Sequence, residues 1–311
     1  MSAAGRARLW AGVTAAFLVG CGAKGKPPAR EFDGARAFNY LQRQVEFGPR
    51  IPGTPAHEQT GDWIATQLRA SAETLIVQAI AHRTPAGQTL PLRNFLARFR
   101  PDAAERILFL AHWDTRPRAD QSANLAAQRM PVPGANDGAS GVAVLLGVAD
   151  VLKSHPPTVG VDLLFVDGED YGDFADSTQV LIGSRWFAAH QPAGYPPLYA
   201  VLFDMVGDRD LRIGYEGNSQ SFAPEVVSLV WRTAASLGYG SVFVSQIEST
   251  LTDDHTALQA AGIHAIDVVD FSYGPNNSYW HTTDDTLDKV SANSLQIVGD
   301  VAVALVRTAG Q

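Results

Sequence analysis

Short apolar runs and longer segments with helical spacing alternate along this chain. In residues 35–47 and 56–70 the apolar positions share one helical face, which predicts two helices separated by a tight loop. The runs 107–112 and 163–166 are short and almost wholly apolar, which is typical of central strands buried on both faces of a sheet. The pattern therefore predicts helices packed around a buried sheet.

The order of the remaining segments predicts the fold class. Segments 74–82 and 92–99 suggest an antiparallel pair at a sheet edge, joined through the turn that starts at Thr84. Further strands are predicted at 198–204, 241–245 and 263–269, and further helices at 142–152, 181–190, 224–237, 254–261 and 291–307. We therefore expect one α/β domain with a doubly wound mixed sheet, mostly parallel at its centre, with antiparallel edge strands and helices on both faces.

Two adjacent acids follow the second central strand. The strand must end at Gly168, and Glu169 and Asp170 come directly after it. Paired carboxylates beside a buried strand are costly unless a metal, a proton or a partner compensates them. Ligands of such sheets collect at the carboxyl ends of the strands, so this strand end is the first candidate for chemistry.

Other acids and imidazoles also fall at or just after predicted strand ends. They are His112, Asp114, Asp137, Asp204, Asp253, Asp254, His255 and His281. Each has a simpler explanation when taken alone; Asp137, for example, suits a turn or a helix cap. Zinc prefers imidazole nitrogen and carboxylate oxygen, and this set supplies both without a competing cysteine. Their coincidence at one sheet edge predicts a metal site.

Composition narrows the class of protein further. The 311 residues carry 24 Lys and Arg against 32 Asp and Glu, a formal net charge of −8, and no run of basic residues forms a patch. Nucleic acid is therefore not an expected partner. No internal repeat or linker follows residue 34, so we expect one catalytic domain at 34–311 and a monomer.

The first residues resemble a lipoprotein signal peptide. Arg6 and Arg8 precede an apolar segment, 9–19, that is too short to span a membrane, and the stretch ends Leu-Val-Gly-Cys21. This predicts a signal peptide at 1–21 with Cys21 as the lipidated residue, followed by a tether at 22–33. An ordinary signal peptide with an incidental cysteine is the alternative. We expect a bacterial cell envelope protein, facing the periplasm or the exterior, with a lipid anchor as its only membrane contact.

The candidate site residues resemble a known family. Together with Asp204 and His281, the matching stretches are His112-Trp-Asp114, Gly134-Ala-Asn-Asp137 and Asp167-Gly-Glu-Asp170, which are similar to the ligand series of the zinc-dependent aminopeptidase family. Within it the chain most resembles glutaminyl-peptide cyclotransferases (glutaminyl cyclases). The stretches that favour this branch are Phe47-Gly-Pro-Arg-Ile-Pro-Gly53, Arg93-Asn-Phe95, Asp253-Asp-His255 and Trp280-His-Thr-Thr-Asp-Asp285. The similarity covers about 34–308.

The resemblance implies an activity and a role for each matching residue. It implies conversion of the N-terminal glutamine of peptides or proteins to pyroglutamate, with release of ammonia. One zinc would be held by Asp137, Asp170 and His281. Glu169 would be the general acid and base, with Asp204 and Asp253 as a hydrogen-bonded acid network beside it, and Trp280 would line the substrate pocket.

The sequence also departs from the pattern of the cyclase branch. Asp170 stands where a longer Glu is usual, and Thr252 stands where Gln is common. The loop 271–279 lacks the aromatic residue expected a few positions before Trp280, and Phe271, Tyr273 or Tyr279 are the candidates to replace it. These differences affect the expected identity of the substrate more than the expected metal binding.

Two other functions stay open on the sequence alone. In a dinuclear zinc aminopeptidase, His112 and Asp204 would hold a second zinc bridged by Asp137, and N-terminal residues would be hydrolysed. A hydrogen bond from Asp253 that drew Asp204 away from His112 would break that second site. A non-catalytic binding lipoprotein is the third hypothesis; it predicts a lost ligand position, and none is lost.

Overall fold

The structure is a computed structural model that describes Met1, residues 30–192 and residues 195–310. The predicted signal peptide and Cys21 lie outside the described residues, as does most of the tether, and these domain boundaries stay predictions. Among the helices of the described part, none is long and apolar enough to cross a membrane. The helices are α1 (Gly34–Glu46), α2 (Pro55–Ser71), α3 (Ala139–Ser154), α4 (Ile182–Ala189), α5 (Gly217–Phe222), α6 (Pro224–Ser236), α7 (Asp254–Ala260) and α8 (Ala292–Thr308).

The strands form one large sheet and one small one. They are β1 (Thr74–Arg83), β2 (Thr89–Phe99), β3 (Arg106–His112), β4 (Gly160–Val166), β5 (Ala200–Asp204), β6 (Ile213–Glu216), β7 (Phe243–Ser249) and β8 (Ala265–Val269). The large sheet has the order β1-β2-β4-β3-β5-β8. Strands β1, β2 and β4 pair antiparallel, whereas β4, β3, β5 and β8 are parallel. The predicted mixed sheet with an antiparallel edge is confirmed.

Alternate side chains of β3 enter two different cores. Ile107 and Phe109 pack into a core shared with α1, α3 and α8. Leu108 and Leu110 face the opposite side, where they pack with residues of α4 and α7. A strand buried on both faces needs apolar residues at every position, which explains its unbroken apolar run. Helices therefore cover both faces, as predicted.

The small sheet was not fully predicted. Strand β6 has only four residues, and it pairs in parallel with β7, which is longer than the predicted segment 241–245. Neither strand belongs to the large sheet. So short a strand carries too few positions to show a period-two pattern, and α5, which follows it directly, has only six residues and is too short to show a helical period.

Candidate active site and metal centre

The parallel strands deliver the predicted residues to one edge of the large sheet. β3 ends at His112, which pairs with Val166 at the end of β4, and β5 ends at Asp204. Asp137 lies just before α3, and His281 lies in the loop after β8. The sheet thus brings together residues that are far apart in the sequence, while their chemical roles stay predictions.

Asp114 fixes the turn that follows β4. Its two carboxylate oxygens accept the backbone N–H groups of Glu169 and Asp170, each at 3.1 Å. Gly168, just before them, has a φ of +72°, a left-handed conformation that strongly favours glycine. This turn holds the two adjacent acids in place, so that each can face a different neighbour.

Three residues form the first ligand set: Asp137, Asp170 and His281. Their candidate ligand atoms lie within 4.8 Å of one another, and all three side chains are buried. His281 Nε2 lies 3.3 Å from Asp170 Oδ2 and 3.5 Å from Asp137 Oδ2. Asp170 Oδ2 has no hydrogen-bond partner among the described residues. A buried carboxylate oxygen without a partner, beside an imidazole and a second carboxylate, fits zinc.

Three residues form the second ligand set: His112, Asp137 and Asp204. His112 Nε2 lies 3.1 Å from Asp137 Oδ1 and 3.1 Å from Asp204 Oδ1. Burial lowers the pKa of His112, but the hydrogen-bonding acids Asp114, Asp137 and Asp204 outweigh it and hold the pKa well above its usual value. Asp204 is therefore in contact with His112. The carboxylate of Asp253 accepts the backbone N–H of Asp254 at 2.5 Å.

Glu169 lies in a pocket of about 360 Å³ beside the ligand sets, at the low end of the size range of small-molecule sites. Burial raises its pKa well above the usual value, and the adjacent charge of Asp170 raises it further. Burial also raises the pKa of Asp204, to about 7, and that of Asp253. Asp204 and Asp253 line the same pocket, so three acids with raised pKa values meet there.

Trp280 and Phe271 form the aromatic wall of this pocket. Trp280 stacks on His281 with ring centroids 3.9 Å apart, and Phe271 meets Trp280 edge-on at 5.0 Å. Of the three candidates for the missing aromatic residue, only Phe271 lines the pocket. Tyr273 is buried and donates its hydroxyl to Asp285, and Tyr279 packs against Tyr273.

Arg116 was not predicted from the sequence, although it contacts the candidate metal ligand Asp170 directly. Its guanidinium donates to Asp170 Oδ1 at 2.6 Å and to both oxygens of Asp120 at 2.8 and 2.6 Å. It neutralises one oxygen of Asp170 and leaves the other directed at His281. The residue lies in a long loop without periodicity, so no local pattern pointed to it.

Two further polar residues position the segment that carries Asp137. The buried guanidinium of Arg50 donates to the carbonyl oxygens of Pro133 and Gly134 at 2.8 and 2.6 Å. Asp285 accepts the N–H groups of Asn136 and Asp137. Both Arg50 and Asp285 lie within stretches that carried the family resemblance, and that was the only signal for them.

A buried pair, His57 and Asp167, stabilises the chain directly after β4. His57 Nε2 lies 2.9 and 3.0 Å from the two oxygens of Asp167, which also accepts the backbone N–H of Arg93. The His57 ring stacks on Trp113 at 4.2 Å. The pair anchors the residue two positions before Glu169, and nothing in the local sequence around His57 indicated it.

A further polar cluster lies behind the pocket. His255 Nε2 is 3.1 Å from Glu216 Oε2, and neither ring nitrogen of His255 has a hydrogen-bond partner in the described part of the chain. Both oxygens of Asp267 also lack one there. Burial, then the charge of Asp253, raises the pKa of Asp267 well above its usual value. The cluster joins the pocket through Asp253.

Imidazole and carboxylate ligands at the carboxyl ends of a mixed α/β sheet, with a buried acid beside them, define the class of zinc-dependent proteins with an aminopeptidase-like fold. The model of peptidase family M28 matches residues 94–306, and the chain belongs to this family.

Several relatives share this fold and part of the sequence. Glutaminyl cyclase from Porphyromonas gingivalis is 39% identical with a TM-score of 0.85, covering 88% of this chain and 98% of that chain. A leucine aminopeptidase precursor from Bacteroides thetaiotaomicron is 34% identical with a TM-score of 0.85, covering 89% and 97%. Aminopeptidase YwaD from Bacillus subtilis (strain 168) is 30% identical, covering 89% of this chain and 57% of its own length. The resemblance to glutaminyl cyclases within this family is confirmed.

The lengths of these relatives differ. The chain spans 57%, 31% and 58% of the first three curated relatives, but 98%, 98% and 97% of the first three similar structures. The shared part is therefore the domain that carries the ligand sets, and the family contains relatives named for two different reactions.

Proposed function

We propose that the chain is a glutaminyl-peptide cyclotransferase that converts an N-terminal glutamine to pyroglutamate and releases ammonia. The observation that carries the proposal is the position of Glu169, a buried acid with a raised pKa in a small pocket beside the first ligand set. An acid with a raised pKa can both accept and return a proton near neutral pH. The similarity to solved glutaminyl cyclases over almost their full length supports the same reaction.

Asp137, Asp170 and His281 would hold one zinc ion, which when bound acts as a Lewis acid on the γ-carboxamide of the substrate. Glu169 takes a proton from the α-amino group, so that its nitrogen can attack the carboxamide carbon of the same residue. Glu169 then returns the proton to the leaving nitrogen. The new C–N bond closes the lactam ring, and the broken C–N bond releases ammonia.

The other pocket residues orient the substrate and keep the proton close. Asp204 and Asp253 place two more carboxyl groups beside Glu169, and their oxygens can accept hydrogen bonds from the amino group of the substrate. The wall of Trp280 and Phe271 gives the glutamine side chain an apolar surface and excludes water from the reacting atoms.

The second candidate is a dinuclear zinc aminopeptidase, and one distance favours it. Asp204 Oδ1 lies 3.1 Å from His112 Nε2, so the second ligand set is assembled and Asp204 is not drawn away. In that enzyme Glu169 would take a proton from the attacking water. The similarity to a leucine aminopeptidase precursor points the same way.

Metal content and product identity separate the two functions. The purified chain is analysed for zinc, then given a peptide that begins with glutamine and, separately, an aminoacyl anilide. One zinc per chain with ammonia release supports the cyclotransferase, and two zinc ions with amine release support the aminopeptidase. A chain that binds zinc and releases neither product would contradict both and favour a binding protein.

We propose that the protein acts on peptide or protein N-termini as a monomer in the bacterial cell envelope, with the lipid on Cys21 as its membrane contact and without a nucleic-acid partner. The signal-like pattern of residues 1–21 and the net charge of −8 support this. Cys21→Ala should prevent incorporation of a labelled fatty acid and move the protein to the soluble fraction. Membrane retention of this variant would contradict the lipid anchor.

A further inference from the structure

A second groove opens beside the active-site pocket. The pocket and the groove share Arg116, Asp120 and Asp173 in their linings, so they are adjacent. The groove has a volume of about 530 Å³ and lies between the loops 115–135 and 171–180. We name it the loop groove; the residues that line it and not the pocket include Arg118, Leu125, Gln128, Arg129 and Tyr171.

The arginines of the loop groove differ in their partners. Arg116 is fully engaged, because it pairs with both Asp120 and Asp170. Arg118 and Arg129 are exposed, and in the described part of the chain neither guanidinium makes an ion pair or a hydrogen bond. A guanidinium presents a planar fork of donors that matches a carboxylate. Two guanidinium groups without a partner in the described part of the chain, those of Arg118 and Arg129, therefore border the groove.

The local charge of the groove is positive although the chain is acidic. Three arginines, Arg116, Arg118 and Arg129, line the groove against two acids, Asp120 and Asp173. The groove thus has a surplus of one positive charge, whereas the formal net charge of the chain is −8. The pocket is instead lined mainly by acids, among them Glu169, Asp204 and Asp253.

We propose that the loop groove binds a carboxylate in the substrate residues that follow the N-terminal residue. The proposal rests on the proposed function, because it places the substrate N-terminus in the pocket. An extended peptide advances by about 3.3–3.6 Å per residue, so the residues directly after the first enter a groove that shares a wall with the pocket. The carboxylate belongs either to an acidic side chain or to the C-terminus of a short peptide.

The test uses peptides that differ only in charge. Gln-Ala-Glu-Ala and Gln-Ala-Lys-Ala, both with amidated C-termini, compare side chains, and Gln-Ala-Ala as free acid or amide compares the C-terminal carboxylate. We expect the acidic peptide to have a kcat/KM about fivefold above that of the lysine peptide, mainly through KM, as for exposed charge pairs. The side chain is the source if only the first pair differs, and the C-terminus is the source if only the second does.

Charge reversal assigns the effect to the two arginines. In Arg118→Glu/Arg129→Glu we expect the ratio of the two kcat/KM values to fall to one or below. Arg69→Glu, an exposed arginine on α2 outside the groove, should keep the wild-type ratio. The single variants Arg118→Gln and Arg129→Gln, each with a smaller fall, replace the double variant if it does not fold. An unchanged ratio in all of these variants overturns the proposal.

Binding separates this proposal from the proposed function. Dissociation constants of the same peptides are measured by calorimetry on zinc-loaded Glu169→Gln, at low and high salt. Tighter binding of the acidic peptide that weakens with salt supports the groove even if the wild type releases no ammonia, in which case only the cyclotransferase proposal fails. Equal binding of acidic and lysine peptides at low salt overturns the groove proposal, whatever the reaction.

Discussion

The two ligand sets share Asp137 but differ in how their charges are met. In the second set, His112 Nε2 lies 3.1 Å from an oxygen of each acid, so a protonated imidazole can pair with both. In the first set, Arg116 binds one oxygen of Asp170, and the other oxygen has no hydrogen-bond partner among the described residues. A proton can therefore satisfy the second set, whereas the first set keeps an atom available for a metal ion. This difference makes the first set the stronger candidate for a metal site.

Removal of an imidazole from the first ligand set should have the largest effect. His281→Ala leaves Asp137 and Asp170 without their nitrogen partner, so we expect loss of zinc and loss of turnover by several orders of magnitude. Metal analysis after dialysis and product assays measure both. The exposed His264→Ala is the matched control and should keep zinc. Full zinc content in His281→Ala would show that the first set is not the metal site.

Neutralising the proton carrier should separate chemistry from metal binding. Glu169→Gln keeps the size of the side chain but removes the base, so turnover should fall about 10²–10⁴-fold. Zinc content should stay unchanged, because Glu169 belongs to neither ligand set. The exposed Glu225→Gln serves as the control. Wild-type turnover in Glu169→Gln would show that Glu169 does not transfer the proton.

The arginine that orients Asp170 tests how the first set is held. Arg116→Lys loses the fork that binds Asp120 and Asp170 together, so Asp170 becomes free to rotate. We expect zinc affinity to fall about 10–100-fold, the usual effect of losing a group that orients a ligand. Competition with a chromogenic chelator measures it, with Arg69→Lys as control. An unchanged affinity would mean that Arg116 does not position the ligand.

A change in the second ligand set should matter less if one zinc is bound. His112→Gln should leave one zinc per chain and reduce turnover less than Glu169→Gln does. His112 and Glu169 are not in close contact, because His112 Nδ1 lies 3.9 Å from Glu169 Oε2. The dinuclear hypothesis predicts instead that zinc falls from two ions to one. Metal stoichiometry of the variant beside the wild type decides between them.

Zinc removal should change how stability depends on pH. Burial lowers the pKa of His281, but Asp170 and Asp137 outweigh it, and the pKa values of both His281 and His112 are raised. In the zinc-free chain each imidazole thus contributes stability that is complete below the unfolded pKa of about 6.5 and is lost as pH rises through the folded pKa. The zinc-loaded chain should gain stability over the same range, since the ligands bind zinc after losing their protons. Melting temperatures with chelator and with zinc measure both slopes, and equal slopes would contradict zinc binding by His281.

The fold and the ligand positions were predictable because both follow from local patterns. The apolar runs of β3 and β4 identify strands that are buried on both faces, and parallel strands end at the same sheet edge. His112 and Asp204 end parallel strands and Glu169 follows one, so these residues had to lie near one another. Family resemblance then suggested which of them bind a metal.

The supporting residues could not be predicted from spacing. The contact between Arg116 and Asp170 joins two loops, and the contact between His57 and Asp167 joins a helix to a strand end 110 positions away. Such pairs depend on the packing of whole elements, and single residues in loops or on helices carry no periodic signal. The same limit applies to β6, whose four residues are defined by their partner β7.

The division between sheet and loops has an evolutionary consequence. Two of the candidate ligands, His112 and Asp204, end strands of the sheet, whereas the groove beside them is built by two surface loops. Surface loops accept insertion and replacement far more readily than the elements they connect. Residues 123–129, all exposed or half-buried, are therefore the segment that related proteins can exchange, and that a protein engineer can graft, to change the substrate while Arg116 and Asp137 stay in place.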